Sequence, residues 1–251
     1  MSYLQAEHLK NKRTFAKKLI VLAPVVTALM NIFAPLWFQL NSYNWWYILL
    51  YPGFLTLVCA MLEQRDNGKL KYRAVLTLPV DLKKTWKAKI GIAGLYVTWG
   101  NLLFLVLNLV GGYIIFAVYK IPLTVSVLQA VFGTLCIVIA SLWEVPLSLW
   151  LSKKVGIFLT VVLNVGVGGT LGIFAATSNL WFLCPYSWVP HLMISVLKIM
   201  PNGVPATIQY TPLTFVKIGL TLLLSVIVFI LLSLVTAKGF EKSANKKSIG
   251  K

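Results

Sequence analysis

Residues 63–90 read EQRDNGKLKYRAVLTLPVDLKKTWKAKI and form the longest polar interruption between two apolar runs. They contain eight of the 23 Lys and Arg residues and three of the six Asp and Glu residues. Asn67-Gly68 is typical of a turn. Residues 69–78 are predicted to form a short helix that ends before Pro79, because proline has no amide proton to donate. Asp81 is predicted to cap the next helix, since its carboxylate can accept hydrogen bonds from the first free amides.

The composition on either side of this stretch is that of a membrane protein. Hydrophobic residues make up 59% of the 251 residues and charged residues only 12%, whereas an average soluble domain is about 25% charged. The length allows one helical bundle and no separate soluble domain. The GxxxxGK(S/T) pattern of a phosphate-binding loop is absent from the sequence, so we expect any ATP to be hydrolysed by another chain.

Six apolar stretches approach or exceed the roughly 20 residues that a membrane-spanning helix needs. The predicted fold class is an all-α membrane protein with six transmembrane helices, at about residues 19–38, 46–62, 90–118, 124–151, 155–177 and 212–237. Four other segments are predicted: an amphipathic helix or a simple basic orientation signal at 1–18, the loop at 63–89, an outer segment at 178–211 and a basic tail at 238–251. Between consecutive spans, residues 39–44 are predicted to form an outer turn and residues 152–154 a tight cytoplasmic turn. Trp45, Trp46 and Tyr47 are predicted to form an aromatic belt at the membrane interface.

The basic residues predict the orientation of these spans. With the N-terminus in the cytoplasm, the four cytoplasmic segments hold five, eight, two and five Lys and Arg residues, which makes 20 of the 23. Cytoplasmic segments carry such an excess, and basic side chains there contact anionic lipid. Both termini are therefore predicted to be cytoplasmic. The net charge of +17 is explained by this distribution, and no nucleic-acid partner is predicted.

Two features lie inside the predicted spans. Glu144 is the one acid well inside an apolar run, and it has three possible roles: it lines a substrate path, it bonds to another helix, or it is protonated and inert. Gly168 and Gly172 have the four-residue spacing of close helix packing, either within the chain or at a dimer interface.

The outer segment contains five Phe, Trp and Tyr residues and a short apolar piece. The piece at 188–200 is too short to span, so it is predicted to be re-entrant or interfacial. His191 has no second ligand nearby in the sequence, and Cys59, Cys136 and Cys184 are scattered, so neither a metal site nor a disulfide is predicted. No pattern of a catalytic triad, of HExxH or of paired carboxylates is present, and the chain is not predicted to be an enzyme.

Glu63 ends the second predicted span. A carboxylate is unfavourable at the C-terminal end of a helix, so a compensating partner is expected. The sequence leaves three alternatives open for Glu63: an ion pair with Arg65, an ion pair with a basic residue at the start of the third span, or a solvated side chain.

The loop resembles one found in a known class of transporters. The order Glu63, Asp66, Gly68, a ten-residue helix, Leu78-Pro79 and then a basic helix is similar to the loop between spans two and three of type-2 ABC exporter permeases. The length and the six predicted spans are similar to those of the permease subunits of lantibiotic-immunity ABC transporters of the MutE/EpiE type. The resemblance covers the whole chain in topology and this loop in motif.

The resemblance implies a function and a set of partners. It implies a coupling helix that docks on an ATPase subunit, with the coupling residues Glu63, Asp66, Gly68, Leu70, Tyr72, Arg73, Ala74, Leu76, Leu78 and Pro79. It implies two ATPase copies that bind the ATP and Mg, no cofactor on this chain, and a second related permease chain or a homodimer. The cargo would be a lantibiotic expelled from a bacterial plasma membrane.

The predicted outer side has no acid to attract a cationic peptide, so capture would rest on aromatic and apolar contacts or on partition of the peptide into lipid first. The candidate substrate contacts are aromatic residues of the outer segment, namely Trp181, Phe182, Tyr186 and Trp188. Two alternatives remain: a permease for another hydrophobic cargo such as a lipid or a drug, and a scaffold or sensor subunit that transports nothing.

Overall fold

A computed structural model describes residues 2–67, 72, 80–206 and 213–249, with side chains as far as residue 243. These residues are helical apart from short connections and one isolated antiparallel bridge between Ile199 and Pro205. The described helices are α1 (Tyr3–Lys10), α2 (Phe15–Asn31), α3 (Phe38–Trp45), α4 (Tyr51–Asn67), α5 (Leu82–Tyr119), α6 (Val127–Ser141), α7 (Glu144–Val161), α8 (Gly169–Ala176), α9 (Pro185–Val196) and α10 (Phe215–Ile249). Two π-helical segments, Trp46–Leu50 and Val162–Gly168, continue α3 into α4 and α7 into α8.

The first helix lies across the end of the bundle. A capping box starts α1, in which the Ser2 hydroxyl accepts from the Gln5 amide and the Gln5 side chain accepts from the Ser2 amide. The chain then bends by 75° into α2. The Asp81 amide donates to the Tyr3 hydroxyl at 3.2 Å, which fixes α1 to the start of α5.

The connection after α2 differs from the sequence prediction. Residues 39–44 lie in α3, so the predicted outer turn is wrong; the turn comes earlier, before and within the short 3-10 helix Pro35–Trp37. Gln39 stabilises this arrangement from inside α3, because its side-chain oxygen accepts from the amides of Thr124 and Val125 at 2.9 and 3.1 Å.

Two of the three predicted interfacial aromatic residues are core residues. Trp46 and Tyr47 are buried, whereas Trp45 is 43% exposed. The Trp46 indole donates to Asn101 on α5 at 3.0 Å, and its ring stacks on Phe104 with centroids 4.7 Å apart. Because the polar atom has a partner inside the protein, the ring does not need the wet interface. The aromatic-belt prediction is therefore wrong for Trp46 and Tyr47.

The predicted cap of the long helix α5 is confirmed. The Asp81 carboxylate accepts a hydrogen bond from the Lys84 amide at 3.0 Å. The helix then runs for 38 residues and ends where Lys120 adopts a left-handed conformation.

A sharp reversal lies inside α7. Asn164 donates to the Ser148 hydroxyl at 3.1 Å, although 16 residues of straight helix would separate them by about 24 Å. The reversal is at Gly156, whose φ of 83° and ψ of 175° are accessible essentially to glycine alone. Residues 152–154 are still helical, so the predicted turn is displaced by two residues. The two arms of α7 form a hairpin.

Residues 178–206, from the segment predicted to be outer, fold back into the bundle. The 3-10 helix Trp181–Leu183 leads into α9, which packs against α6 and α8 with residues 187–194 all buried. This burial favours the re-entrant alternative over a helix that lies on the membrane interface.

Among the described residues, four helical stretches are long and apolar enough to cross a membrane: Pro35–Asn67, Leu82–Tyr119, Glu144–Ala176 and Phe215–Ser243. The third of these contains the reversal at Gly156. The bent pair α1 and α2 would add a fifth. Large apolar side chains on these stretches are exposed, among them Trp99, Phe158 and Val235. An exposed apolar surface of this extent is stable in lipid and not in water. The protein is therefore a multi-pass helical membrane protein.

Candidate functional site

A buried cluster of charged side chains lies where α4 ends and α5 begins. Lys89, on the second turn of α5, is only 1% exposed. Its ammonium group lies 3.0 Å from a Glu63 carboxylate oxygen and 2.7 Å from Asp66. Both acids belong to the last turns of α4, where their three-residue spacing places them on one face. We call Glu7, Lys10, Glu63, Asp66 and Lys89 the charge cluster.

The N-terminal helix joins the charge cluster through a second lysine. Lys10 lies 2.8 Å from Asp66 and 2.7 Å from Glu7. Asp66 thus bridges two lysines from different helices. Three acids and two lysines nearly balance in charge, as a buried ionic group requires.

Tyr72 attaches the loop between α4 and α5 to the charge cluster. Its amide donates to the Asp66 carbonyl at 2.7 Å, and its hydroxyl donates to Glu63. Burial and the neighbouring Glu63 carboxylate raise the pKa of the Tyr72 phenol, so it stays a donor at physiological pH. The residue is 4% exposed.

The geometry corrects one expectation for Tyr72 and resolves one for Glu63. Tyr72 has a φ of 66°, so it is not helical as the sequence predicts, and its side chain faces its own chain. Glu63 is buried and paired with Lys89, which confirms the alternative of a basic partner at the start of the third span and excludes a solvated carboxylate. The lysine also supplies the compensation that an anion at a helix C-terminus needs.

The remaining predicted coupling residues cannot be placed. They lie outside the described residues and are Gly68, Leu70, Arg73, Ala74, Leu76, Leu78 and Pro79. Among the predicted coupling residues, the described part of the chain therefore contains Glu63, Asp66 and Tyr72. Tyr72 bonds to both acids, and both acids pair with Lys89.

Sequence reasoning missed a cluster of aromatic rings next to the charge cluster. We call Tyr72, Trp86, Trp150 and Phe240 the aromatic cluster. The Lys153 ammonium lies 4.2 Å from the centre of the Phe240 ring and within 6 Å of the other three rings. A cation over aromatic rings is stabilised by their quadrupoles. The four rings come from the loop and three helices, so no sequence spacing relates them.

A second polar site surrounds Glu144 inside the bundle. The Asn164 amide group donates to Glu144 at 3.5 Å and to Thr56 on α4 at 2.7 Å, and its oxygen accepts from the Tyr186 hydroxyl at 2.6 Å. These bonds support the interpretation of Glu144 as a structural acid bonded to another helical segment. A cavity of about 20 Å³ adjoins it, which holds about one water molecule and no cargo. Sequence reasoning missed Asn164, whose polar side chain within an apolar run was the available signal.

The two predicted packing glycines contact a helix of the same chain. A methyl group added at Gly172 would lie 2.5 Å from the Tyr186 carbonyl oxygen, and one at Gly168 would clash with the Tyr186 ring. This favours the intramolecular alternative over a dimer interface.

The aromatic residues predicted to contact substrate differ in how far their side chains are exposed. Phe182 is 46% exposed. Trp181 stacks on His191, with ring centroids 3.9 Å apart. Trp188 is 2% exposed and its indole donates to the Phe182 carbonyl at 3.0 Å. Because its polar atom is satisfied internally, Trp188 is a core residue and not an exposed substrate contact, contrary to the prediction.

The fold and this site define a class of protein: a multi-pass helical membrane protein in which a buried charge cluster ties a polar loop to the ends of three helices. Residues 3–168, about two thirds of the chain, match the family model described as ABC-2 family transporter protein, and the chain belongs to that family. It is thus a membrane permease subunit of an ABC transporter. Permeases of this family work with an ABC ATPase. No curated protein and no solved structure matches the chain.

Proposed function

We propose that this permease is the transmembrane subunit of an exporter that expels a lantibiotic or similar antimicrobial peptide and so protects a bacterial cell. It has six spans with both termini in the cytoplasm, and it pairs with a second permease chain or with its own copy. Two copies of a separate ATPase bind ATP and Mg and drive it. Family membership supports the ATPase partner, and the resemblance to lantibiotic-immunity permeases supports the cargo.

One observation carries the coupling part of the proposal. Tyr72 bonds to Glu63 through its side chain and to Asp66 through its backbone. Both acids bond to Lys89 on α5, and Asp66 also bonds to Lys10 on α1. A push on the loop by the ATPase is therefore passed directly to three helices. Buried ionic contacts suit this task, because they have a definite geometry and are costly to separate.

The distribution of acids bears on how a cationic peptide reaches the protein. Five of the six acids lie at the end of the bundle that holds the charge cluster: Glu7, Glu63 and Asp66 in the cluster, Asp81 at the start of α5, and Glu241, which pairs with Lys83 at 3.0 Å. The sixth, Glu144, is buried. Capture from outside therefore depends on apolar contacts, and the exposed side chains suited to it are Leu180, Phe182 and Leu183.

The experiment is copurification followed by a protection assay. The protein is extracted from its native membrane in mild detergent and its companions are identified by mass spectrometry. We expect a soluble ATPase and a six-span chain. Cells that carry Tyr72→Phe should survive a panel of lantibiotics less well than wild type, at equal membrane abundance. The matched control is Tyr113→Phe, which removes a hydroxyl from a half-exposed ring on α5.

Each outcome has a definite meaning. Copurification without any ATPase would refute the proposed exporter role and favour a scaffold or sensor role. An ATPase without any protection against lantibiotics would keep the permease and replace the cargo with another hydrophobic one. Equal survival with Tyr72→Phe and Tyr113→Phe would refute the coupling role of Tyr72.

A further inference from the structure

Two adjoining clefts lie between the N-terminal helix α1 and the long helix α5, which are in contact with each other. One, of about 480 Å³, is lined by residues of α1, α2 and α5 that include Lys17, Tyr96 and Trp99. The other, of about 520 Å³, lies between α1 and α5. They share the side chains of His8 and Leu95. Cavities of a few hundred to a thousand Å³ are the size that binds organic ligands.

The walls of the clefts have the chemistry of a lipid site. Toward α1 the lining includes the imidazole of His8 and the ammonium group of Lys17, both exposed. Deeper along α5 it is apolar, with Leu95, Trp99 and Leu103. Ile92 and Leu103, which line the two clefts, are eleven residues apart and so about 16 Å along the helix axis. This length suits the upper part of an acyl chain.

One buried polar group in the cleft wall lacks a partner. Tyr96 is 3% exposed, and its hydroxyl has no hydrogen-bond partner among the described residues. A buried hydroxyl without a partner is costly. A phosphate or ester oxygen of a bound molecule offers the acceptor that is missing.

The charges select the sign of the occupant. Among the described residues that line the two clefts, Lys17 carries the fixed charge and none is acidic. An anion is attracted there, whereas a cationic peptide is repelled. The site therefore differs in chemistry from any path for the proposed cargo.

We propose that the clefts between α1, α2 and α5 bind one anionic phospholipid, with its headgroup at His8 and Lys17 and an acyl chain along Leu95, Trp99 and Leu103. The lipid fills the angle of the 75° bend between α1 and α2. It braces α1, which donates Lys10 to the charge cluster. Anionic lipid thus stabilises the arrangement that holds the loop.

The test uses the purified protein with the chains that accompany it, in detergent. Dioleoylphosphatidylglycerol and dioleoylphosphatidylcholine are added separately. Unfolding is followed by tryptophan fluorescence and bound lipid by native mass spectrometry. We expect the anionic lipid to raise Tm by about 5 °C or more above the zwitterionic lipid when the site is saturated. Lys17→Gln should abolish that difference, and Tyr96→Phe should reduce lipid retention.

The matched control is Lys18→Gln, which removes the same charge from the next, exposed position outside the cleft lining. It should keep the full difference. Equal effects of the two lipids, or equal losses with Lys17→Gln and Lys18→Gln, would overturn the proposal. So would the same Tm increase with sn-glycerol 3-phosphate alone, since that lacks acyl chains. A dimer that Trp99→Ala dissociates, with no lipid bound, would assign the clefts to a second copy of the chain instead. None of these outcomes depends on the cargo or on the ATPase.

Discussion

Lys89 lies at the junction of two acids and has almost no contact with solvent. Burying an ammonium group is costly, and the cost is offset when the partners are close and well oriented. Glu63 and Asp66 supply those partners from α4. Tyr72 donates to the other carboxylate oxygen of Glu63, and Lys10 shares the Oδ2 atom of Asp66 with Lys89. The residue that sequence reasoning singled out, Glu63, thus depends on a lysine 26 positions later.

We expect Lys89→Met to destabilise the protein by about 3–5 kcal/mol, because the buried Glu63 carboxylate would lose its lysine and Asp66 would lose one of its two lysines. Thermal unfolding in detergent, followed by fluorescence-detected size exclusion, measures this. Adding Glu63→Gln and Asp66→Asn should restore part of the loss, since the uncompensated charges are then removed. Lys87→Met is the control: it removes an exposed lysine two residues earlier, on the opposite face of α5, and should change Tm little. A Tm for Lys89→Met equal to that of Lys87→Met would show that the ion pairs do not form.

At the scale of the helices, two glycines decide how the second half of the chain packs. Gly156 reverses the direction of α7, and this brings Asn164 beside Glu144 and Ser148. Gly172 lets α9 lie directly on α8, since the Tyr186 carbonyl occupies the space of a side chain. The polar site around Glu144 exists because both conditions are met.

Gly156→Ala should cost about 1–3 kcal/mol, because alanine is strained at a φ of 83° and a ψ of 175° even though the space around the residue is open. Chemical or thermal unfolding in detergent gives the difference. Gly219→Ala in α10 also meets open space, without a positive φ, and should be neutral or slightly stabilising. If both substitutions behaved alike, the chain would not reverse at Gly156.

Gly172→Ala should cost about 1–3 kcal/mol through overpacking, because the added methyl group meets the backbone of α9. The neighbouring Gly169→Ala is its control, since a methyl group there meets nothing within 4 Å. Unfolding of the two variants side by side separates packing from helix propensity. A dimer interface at Gly172 would instead show itself as a dissociated dimer with an unchanged unfolding transition.

At the scale of the whole molecule, charge is segregated along the bundle. The charge cluster, the aromatic cluster around Lys153 and the Lys83–Glu241 pair bring the ends of α1, α4, α5 and α10 together with the reversal of α7. The apolar lengths of these helices extend away from this charged end. Such an arrangement suits a membrane protein whose partner binds at the charged end.

The proposed topology predicts which positions a membrane-impermeant maleimide labels in intact cells. In a Cys184→Ser background, a cysteine placed at Lys120, after α5, should be labelled. Its side chain is exposed, and in the proposed topology it lies on the outer side of the membrane, where the reagent is. A cysteine placed at Lys242, near the end of α10, should be labelled only after the membrane is opened. Both lysines are exposed in the structure, so local burial does not explain a difference. Labelling of both in intact cells would contradict cytoplasmic termini.

The sequence by itself was sufficient for the class of the protein and for the position of its polar loop. The composition requires a membrane, because a chain of 251 residues that is 59% hydrophobic cannot bury all of its apolar side chains away from water. Local rules hold where the cause is local: Asp81 caps α5 because its partner is the amide of Lys84, three residues on. The loop motif pointed to the transporter class, and the family match agrees with it.

Only the tertiary structure decided the partners of the polar and aromatic side chains. Trp46, Tyr47 and Trp188 are of residue types that are common at membrane interfaces, yet all three are buried. Acceptors elsewhere in the bundle bind the polar atoms of Trp46 and Tyr47, and the Phe182 carbonyl accepts from the Trp188 indole. Lys89 with Glu63, and Asn164 with Glu144, come together through the packing of separate segments and through a reversal at one glycine. A hydrogen bond acts over about 3 Å, whereas sequence spacing reports only on neighbours along one helix. Contacts of that range between distant segments are fixed when the helices pack.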